Sequence, residues 1–151
     1  MAKNNSNRRT GDSAALLDEW RGRLTELMAS VKNWVEELDW STRLISKKMH
    51  DSTLGAYEAP ALLMQKETTR VLLDPIARFA PGTDGVADLY LMPAYDDIVN
   101  LCFVEGQWQF RCAPSGERAN DASREFENQP LSKENLSRIL DEIAAHAPKP
   151  F

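Results

Sequence analysis

Between Leu17 and Leu38 the apolar residues recur at alternating spacings of three and four: Leu17, Trp20, Leu24, Leu27, Val31, Trp34 and Leu38, with Met28 and Val35 widening the stripe. That period predicts an amphipathic helix, capped by Asp12 or Ser13 and running to about Asp39. A regular seam also suits a coiled coil, but two tryptophans at equivalent positions are bulky for a tight two-stranded interface. One long helix laid over a sheet is therefore the preferred reading, and self-association the alternative. Ahead of the helix, residues 1–11 are polar and Asn-rich, with nothing apolar after Ala2 to pack. They are expected to form a tail without fixed structure, leaving residues 12–151 as a single domain.

The period changes to two after Gly85. Ala87, Leu89 and Leu91 alternate with Asp88, Tyr90 and Met92, which predicts a strand ended by Pro93. Ile98 to Val104 and Gln107 to Cys112 flank Glu105-Gly106, the pattern of a two-residue hairpin. Its register follows: Val104 faces Gln107, Phe103 faces Trp108, Cys102 faces Gln109, Leu101 faces Phe110, Asn100 faces Arg111 and Val99 faces Cys112. One face then collects Val99, Leu101, Phe103, Trp108, Phe110 and Cys112. Cys102 and Cys112 fall on opposite faces, so they are expected as thiols and not as a disulfide.

Other segments are less patterned. Trp40 to Pro60 reads either as a short helix with Leu44, Ile45, Lys48 and Met49 on one face, or as an edge strand followed by a loop around Asp51 to Gly55. From about Leu62 the cluster Thr68, Thr69 and Val71 favours a strand ending before Pro75, with a helix over Ala61 to Glu67 as the alternative. Residues 113–130 are polar and turn-rich. The last helix is clearer: Ser132 is a good N-cap, Leu131 and Leu136 occupy the positions of a hydrophobic staple, and Leu136, Ile139, Leu140 and Ile143 form one face ahead of Pro148 and Pro150. The sum is an α+β fold with a long N-terminal helix, an antiparallel β-meander of about four strands and a C-terminal helix packed on the sheet.

Composition narrows the function. At 151 residues, with 42% hydrophobic and 27% charged residues, the chain has the size and balance of one folded domain. No apolar run approaches the length of a bilayer span and the N-terminus lacks the apolar core of a secretory signal, so the cytoplasm is the expected compartment and no membrane partner is expected. The net charge is -5, and Lys3, Arg8 and Arg9 of the first eleven residues make the remainder more acidic still. Such a body repels nucleic acid. In size and charge alone the chain resembles bacterial secretion chaperones, whose order of strands and helices it does not reproduce.

No catalytic motif is complete. His50, His146, Cys102 and Cys112 have no short ligand spacing, there is no nucleophile elbow, and Gly82-Thr-Asp-Gly85 lacks the spacing and lysine of a phosphate loop. No cofactor is expected and no metal ligand is assigned. Asp74, Asp88, Asp96 and Asp97, near strand ends, support the alternative of a metal-dependent hydrolase or nuclease-like enzyme. Asp88 is also an outward strand position, Asp96 and Asp97 follow Pro93 in a turn and Asp74 precedes a proline, all places where Asp is common for backbone reasons, and the chain has no Asp-x-Lys or Glu-x-Lys. The outward face combines apolar Tyr90, Met92, Ile98, Cys102 and Val104 with acids, which makes Asp88, Tyr90, Met92, Tyr95, Asp96 and Asp97 the candidate binding surface. Either the Trp40 to Pro60 segment covers it, or a partner does: a second copy, or a basic, Arg-rich peptide held by charge and cation–π contacts. The expected function is a non-enzymatic protein- or peptide-binding module.

Overall fold

The N-terminal stripe closes over one face of an antiparallel sheet. The structure, a computed structural model, describes residues 2–93, 96–111 and 128–147, and the side chains among them except those of 2–10, 96, 97 and 111. Helix α1 spans Ala2–Glu37, followed by β1 Ser41–Asp51, β2 Gly55–Lys66, β3 Thr69–Ala77, β4 Val86–Leu91, β5 Asp96–Val104, β6 Gln107–Arg111 and helix α2 Lys133–His146. The six strands lie in sequence order, each antiparallel to the next. The architecture is the expected α+β meander between two helices, with six strands in place of about four.

Helix α1 continues back to Ala2, ahead of the cap positions Asp12 and Ser13. Its far end is set by a hydrogen-bonded reversal. Asp39 has φ +70, the Asp39 amide donates to the Glu36 carbonyl and the Trp40 amide to the Val35 carbonyl, which satisfies two carbonyls the helix leaves open. Trp40, just past the reversal, is buried against the core. Glu36 accepts from Lys32 Nζ and Thr42 Oγ1, and these donors hold its carboxyl below the ordinary range while tying the helix end to β1.

The two extra strands come from the segments with the weakest pattern. Trp40 to Pro60 is not a helix; Ser41–Asp51 is an edge strand paired residue by residue with β2, from Ser41 opposite Gln65 to Asp51 opposite Gly55. Asp51 Oδ1 accepts from the Thr53 and Leu54 amides and closes the loop between them. The single strand expected from Leu62 is instead a hairpin, β2 to β3, turning at Glu67-Thr68 with Glu67 at φ +55. Pro75 does not end β3. The β2–β3 ladder stops at Leu62 opposite Leu73, and the Pro75 carbonyl accepts from Lys47 Nζ on that side. In extended backbone a residue's N–H and C=O point the same way, so the missing proline N–H faces a gap where no ladder bond is lost.

The hairpin of β5 and β6 has the register written from the sequence, Asn100 opposite Arg111 through Val104 opposite Gln107. Cys102 is a buried thiol; Cys112 and its pairing lie outside the described residues. Beyond β6 the chain adds backbone bonds to the same edge: Phe110 N–H donates to Gln129 O, Asn128 N–H to Phe110 O and Leu131 N–H to Trp108 O. Ser132 then caps α2, accepting from the Asn135 amide at 3.1 Å, and Leu136, Ile139, Leu140 and Ile143 are all buried as expected.

Both helices share one core with the inner sheet face, from Trp20, Leu24, Met28, Val31 and Val35 of α1 to Leu73, Leu89, Leu101 and Phe110. Gly85, at φ +151, lies under Trp20, where a Cβ would meet the indole ring at 2.4 Å. Trp20 Nε1 donates to Tyr57 Oη at 3.1 Å. Burial raises the Tyr57 phenol above its ordinary 10.0; the Trp20 bond opposes this shift and the charge of Asp51 adds to it. The sign follows from the neutral form being favoured in the folded state. Stability linked to Tyr57 is complete below about pH 10 and is lost as pH rises from there through the raised folded value. Urea unfolding at a series of alkaline pH values should show this loss, and Tyr57→Phe should remove it.

Candidate functional site

The acidic outer face is a polar row running across three strands. Asp74 of β3 stands opposite Asp88 of β4, which stands opposite Asn100 of β5. Both aspartates are buried. Two carboxylates side by side are unfavourable unless donors or cations sit at the ends of the row. Lys47 supplies the cation, its Nζ 2.7 Å from Asp74 Oδ1 and 2.8 Å from Pro75 O. Tyr90 Oη donates to Asp74 Oδ2 at 3.1 Å, and Asn100 Nδ2 to Asp88 Oδ1 at 2.6 Å. Lys47 belongs to β1 and reaches past β2 to β3, where its cross-strand neighbour Ala59 leaves room and the β2–β3 ladder has opened. The Trp40 to Pro60 segment thus joins the sheet as strand and sends Lys47 over to the acidic row.

The candidate surface residues therefore divide. Asp88 and Tyr90 are engaged in the row, and Met92 is half-buried beyond it. Tyr95 lies outside the described residues, as do the side chains of Asp96 and Asp97. Asp96 pairs through its backbone with Leu91, four residues along β5 from Asn100, a separation of about 13 Å. Asp74 and Asp88 form one group and Asp96-Asp97 starts at another end of the strand. Among the described residues no group of three or more His, Cys, Asp or Glu side chains is placed to hold a metal. The carboxylates of the row accept hydrogen bonds across strands, Asp74 of β3 from Lys47 of β1 and Tyr90 of β4, and Asp88 of β4 from Asn100 of β5.

The helix-bearing side holds the other candidate. Phe103 and Trp108, a cross-strand pair on β5 and β6, stack edge to face with centroids 5.3 Å apart, and Trp108 lies 6.4 Å from Trp20. Both are only half-buried. With Leu27 and half-buried Trp34 of α1 and with Leu131, they line a cleft of about 260 Å³ between the helix and the hairpin. Arg23 forms one wall: its guanidinium lies 4.1 Å from the Phe103 centroid, donates to Asp84 O at 2.7 Å and pairs with Glu19 Oε1 at 2.7 Å. Glu26, one turn on, also lines the cleft and is exposed, with no ion pair among the described residues.

In the sequence pattern Trp34, Phe103 and Trp108 fall at core positions. The available signal was the centre of the α1 stripe. Leu24, Met28, Val31 and Val35 are fully buried, which leaves Trp34 at the margin. No protein-family model matches the chain, and no match was found among curated proteins or solved structures. Among the described residues, no helix is long and apolar enough to cross a membrane.

Proposed function

We propose that the protein is a non-enzymatic cytoplasmic module that binds a protein or peptide, and that the cleft between α1 and the β5–β6 hairpin takes a basic side chain of that partner. The observation that carries this reading is the pairing of an uncommitted carboxylate, Glu26, with Trp34 and Trp108 in a cleft whose Phe103 wall already seats a guanidinium. Aromatic faces attract cations through their quadrupole, by about 0.5–2 kcal/mol depending on exposure. An exposed ion pair with Glu26 adds about 0.2–1 kcal/mol. A lone arginine would bind weakly on these terms, so flanking residues of the partner must contribute the rest. The outer acidic row suits this task less well, because Asp74 and Asp88 already have donors.

Calorimetric titration with a short peptide carrying one arginine between apolar residues tests the reading. Binding is expected, with the same peptide carrying norleucine at that position at least fivefold weaker. Glu26→Gln, at an exposed position, should lower affinity about threefold and Trp34→Ala, at a half-buried one, about tenfold, with circular dichroism checking that each variant keeps its fold. Equal binding of the two peptides would sink the cationic reading. Sedimentation of the free protein covers the remaining occupant: a dimer that Trp34→Ala dissociates would make the partner a second copy.

A further inference from the structure

The two edges of the sheet are finished differently. On the β6 edge, residues 128–131 take up the backbone groups of Trp108 and Phe110. On the β1 edge, eleven residues from Ser41 to Asp51 pair with β2 on one side, and among the described residues no backbone bond is made on the other. Alternate residues of such a strand turn both N–H and C=O outward, so about five remain open to a further strand. Leu44 and Ile45, adjacent and hence on opposite faces of that edge, are 52% and 37% exposed.

The charge on this edge runs against that of the whole chain. Arg43 and Lys48 are exposed and form no ion pair among the described residues, and Arg21 of α1 lies beside Leu44 and Ile45 in a shallow depression that Glu58 also lines. The one acid of the strand, Asp51, is occupied by the Thr53 and Leu54 amides. Exposed cations on an edge strand can serve simply to repel other strands. They repel a second copy of β1 in particular, since antiparallel self-pairing would bring two sets of Arg43 and Lys48 together. An acidic strand meets no such barrier.

We infer that β1 is a second docking edge, independent of the aromatic cleft, and that it accepts an extended acidic segment of another protein by strand addition. Main-chain bonds fix the segment, Leu44 or Ile45 meets an apolar residue on it, and Arg21, Arg43 and Lys48 select its acids. The test uses a labelled peptide of Glu-Glu-Val-Val repeats, which presents acids and apolar residues on both faces of an extended strand, followed by fluorescence anisotropy and amide hydrogen exchange. Binding should weaken at least tenfold in the double variant Arg43→Glu, Lys48→Glu and on raising salt, and alternate β1 amides should gain protection. Failure to bind at millimolar peptide, or binding unchanged in the double variant, overturns the inference and leaves the cations as guards. So does a single-stranded oligonucleotide that competes with equal affinity, because the edge would then be reading phosphate charge and not a strand. Circular dichroism of the double variant confirms that the fold is retained.

Discussion

Gly85→Ala is expected to lower the stability of the protein by about 3 kcal/mol. The added methyl would stand 2.4 Å from the Trp20 ring, and the backbone there has φ +151, a region that residues with a Cβ rarely adopt. Overpacking alone costs about 1–3 kcal/mol, and the backbone strain adds to it. Trp20 has little freedom to yield, being fully buried, bonded to Tyr57 and stacked near Trp108. The ladder shifts with it, because the Gly85 carbonyl accepts from the Phe103 amide and the Asp84 amide donates to the Phe103 carbonyl. The cause can be isolated with Trp20→Leu, which is destabilising by itself but removes the clashing ring. In denaturant unfolding the double variant should be more stable than the sum of the two single losses predicts, by at least about 1 kcal/mol. Strict additivity would show that Gly85 is needed for its backbone conformation and not for Trp20.

Phe110→Ala should cost about 3–5 kcal/mol, the range for emptying a fully buried aromatic site. Its consequence extends beyond the cavity. Phe110 is the residue whose amide and carbonyl both bond to the segment leading into α2, at Gln129 and Asn128. Loosening β6 therefore releases the tether of the second helix. Hydrogen exchange in the variant should show the Asn128, Leu131 and Leu136 amides opening ahead of those in the β1–β2 ladder, which shares no bond with them. Uniform loss of protection across the sheet would contradict this order.

What could be read from the chain follows from how each element is stabilised. The β5–β6 register was legible because a two-residue loop leaves one way to pair the alternating residues on either side. Helix α2 was legible because Ser132 and the Leu136 to Ile143 stripe give independent signals of start and face. β1 gives neither: as an edge strand it exposes Leu44 and Ile45 on both faces, so the period of two disappears, and Leu44, Lys48 and Met49 fall at helical spacing by accident. The β2–β3 turn was hidden because Glu67-Thr68 carries no glycine, asparagine or proline, although Glu67 adopts the left-handed conformation those residues favour. Asp74 and Asp88 stand out in the sequence as candidate carboxylates near strand ends, but their partners are not visible there. Lys47 is 27 residues from Asp74 and reaches it only because the ladder between β2 and β3 opens. The cleft stayed hidden for the opposite reason: Trp34, Phe103 and Trp108 obey the core pattern and are exposed only where helix and hairpin diverge.

The cleft's proposed role is tested most directly on the four tryptophan side chains, which report it and the core separately. Indole N–H resonances of isotope-labelled protein should be followed during titration with the arginine peptide. Those of Trp34 and Trp108, which line the cleft, should move together and saturate, while Trp20, bonded to Tyr57, and buried Trp40 stay in place. A saturating titration in which Trp34 and Trp108 do not move, or one in which the norleucine peptide moves them equally, would contradict a cation site between α1 and the β5–β6 hairpin.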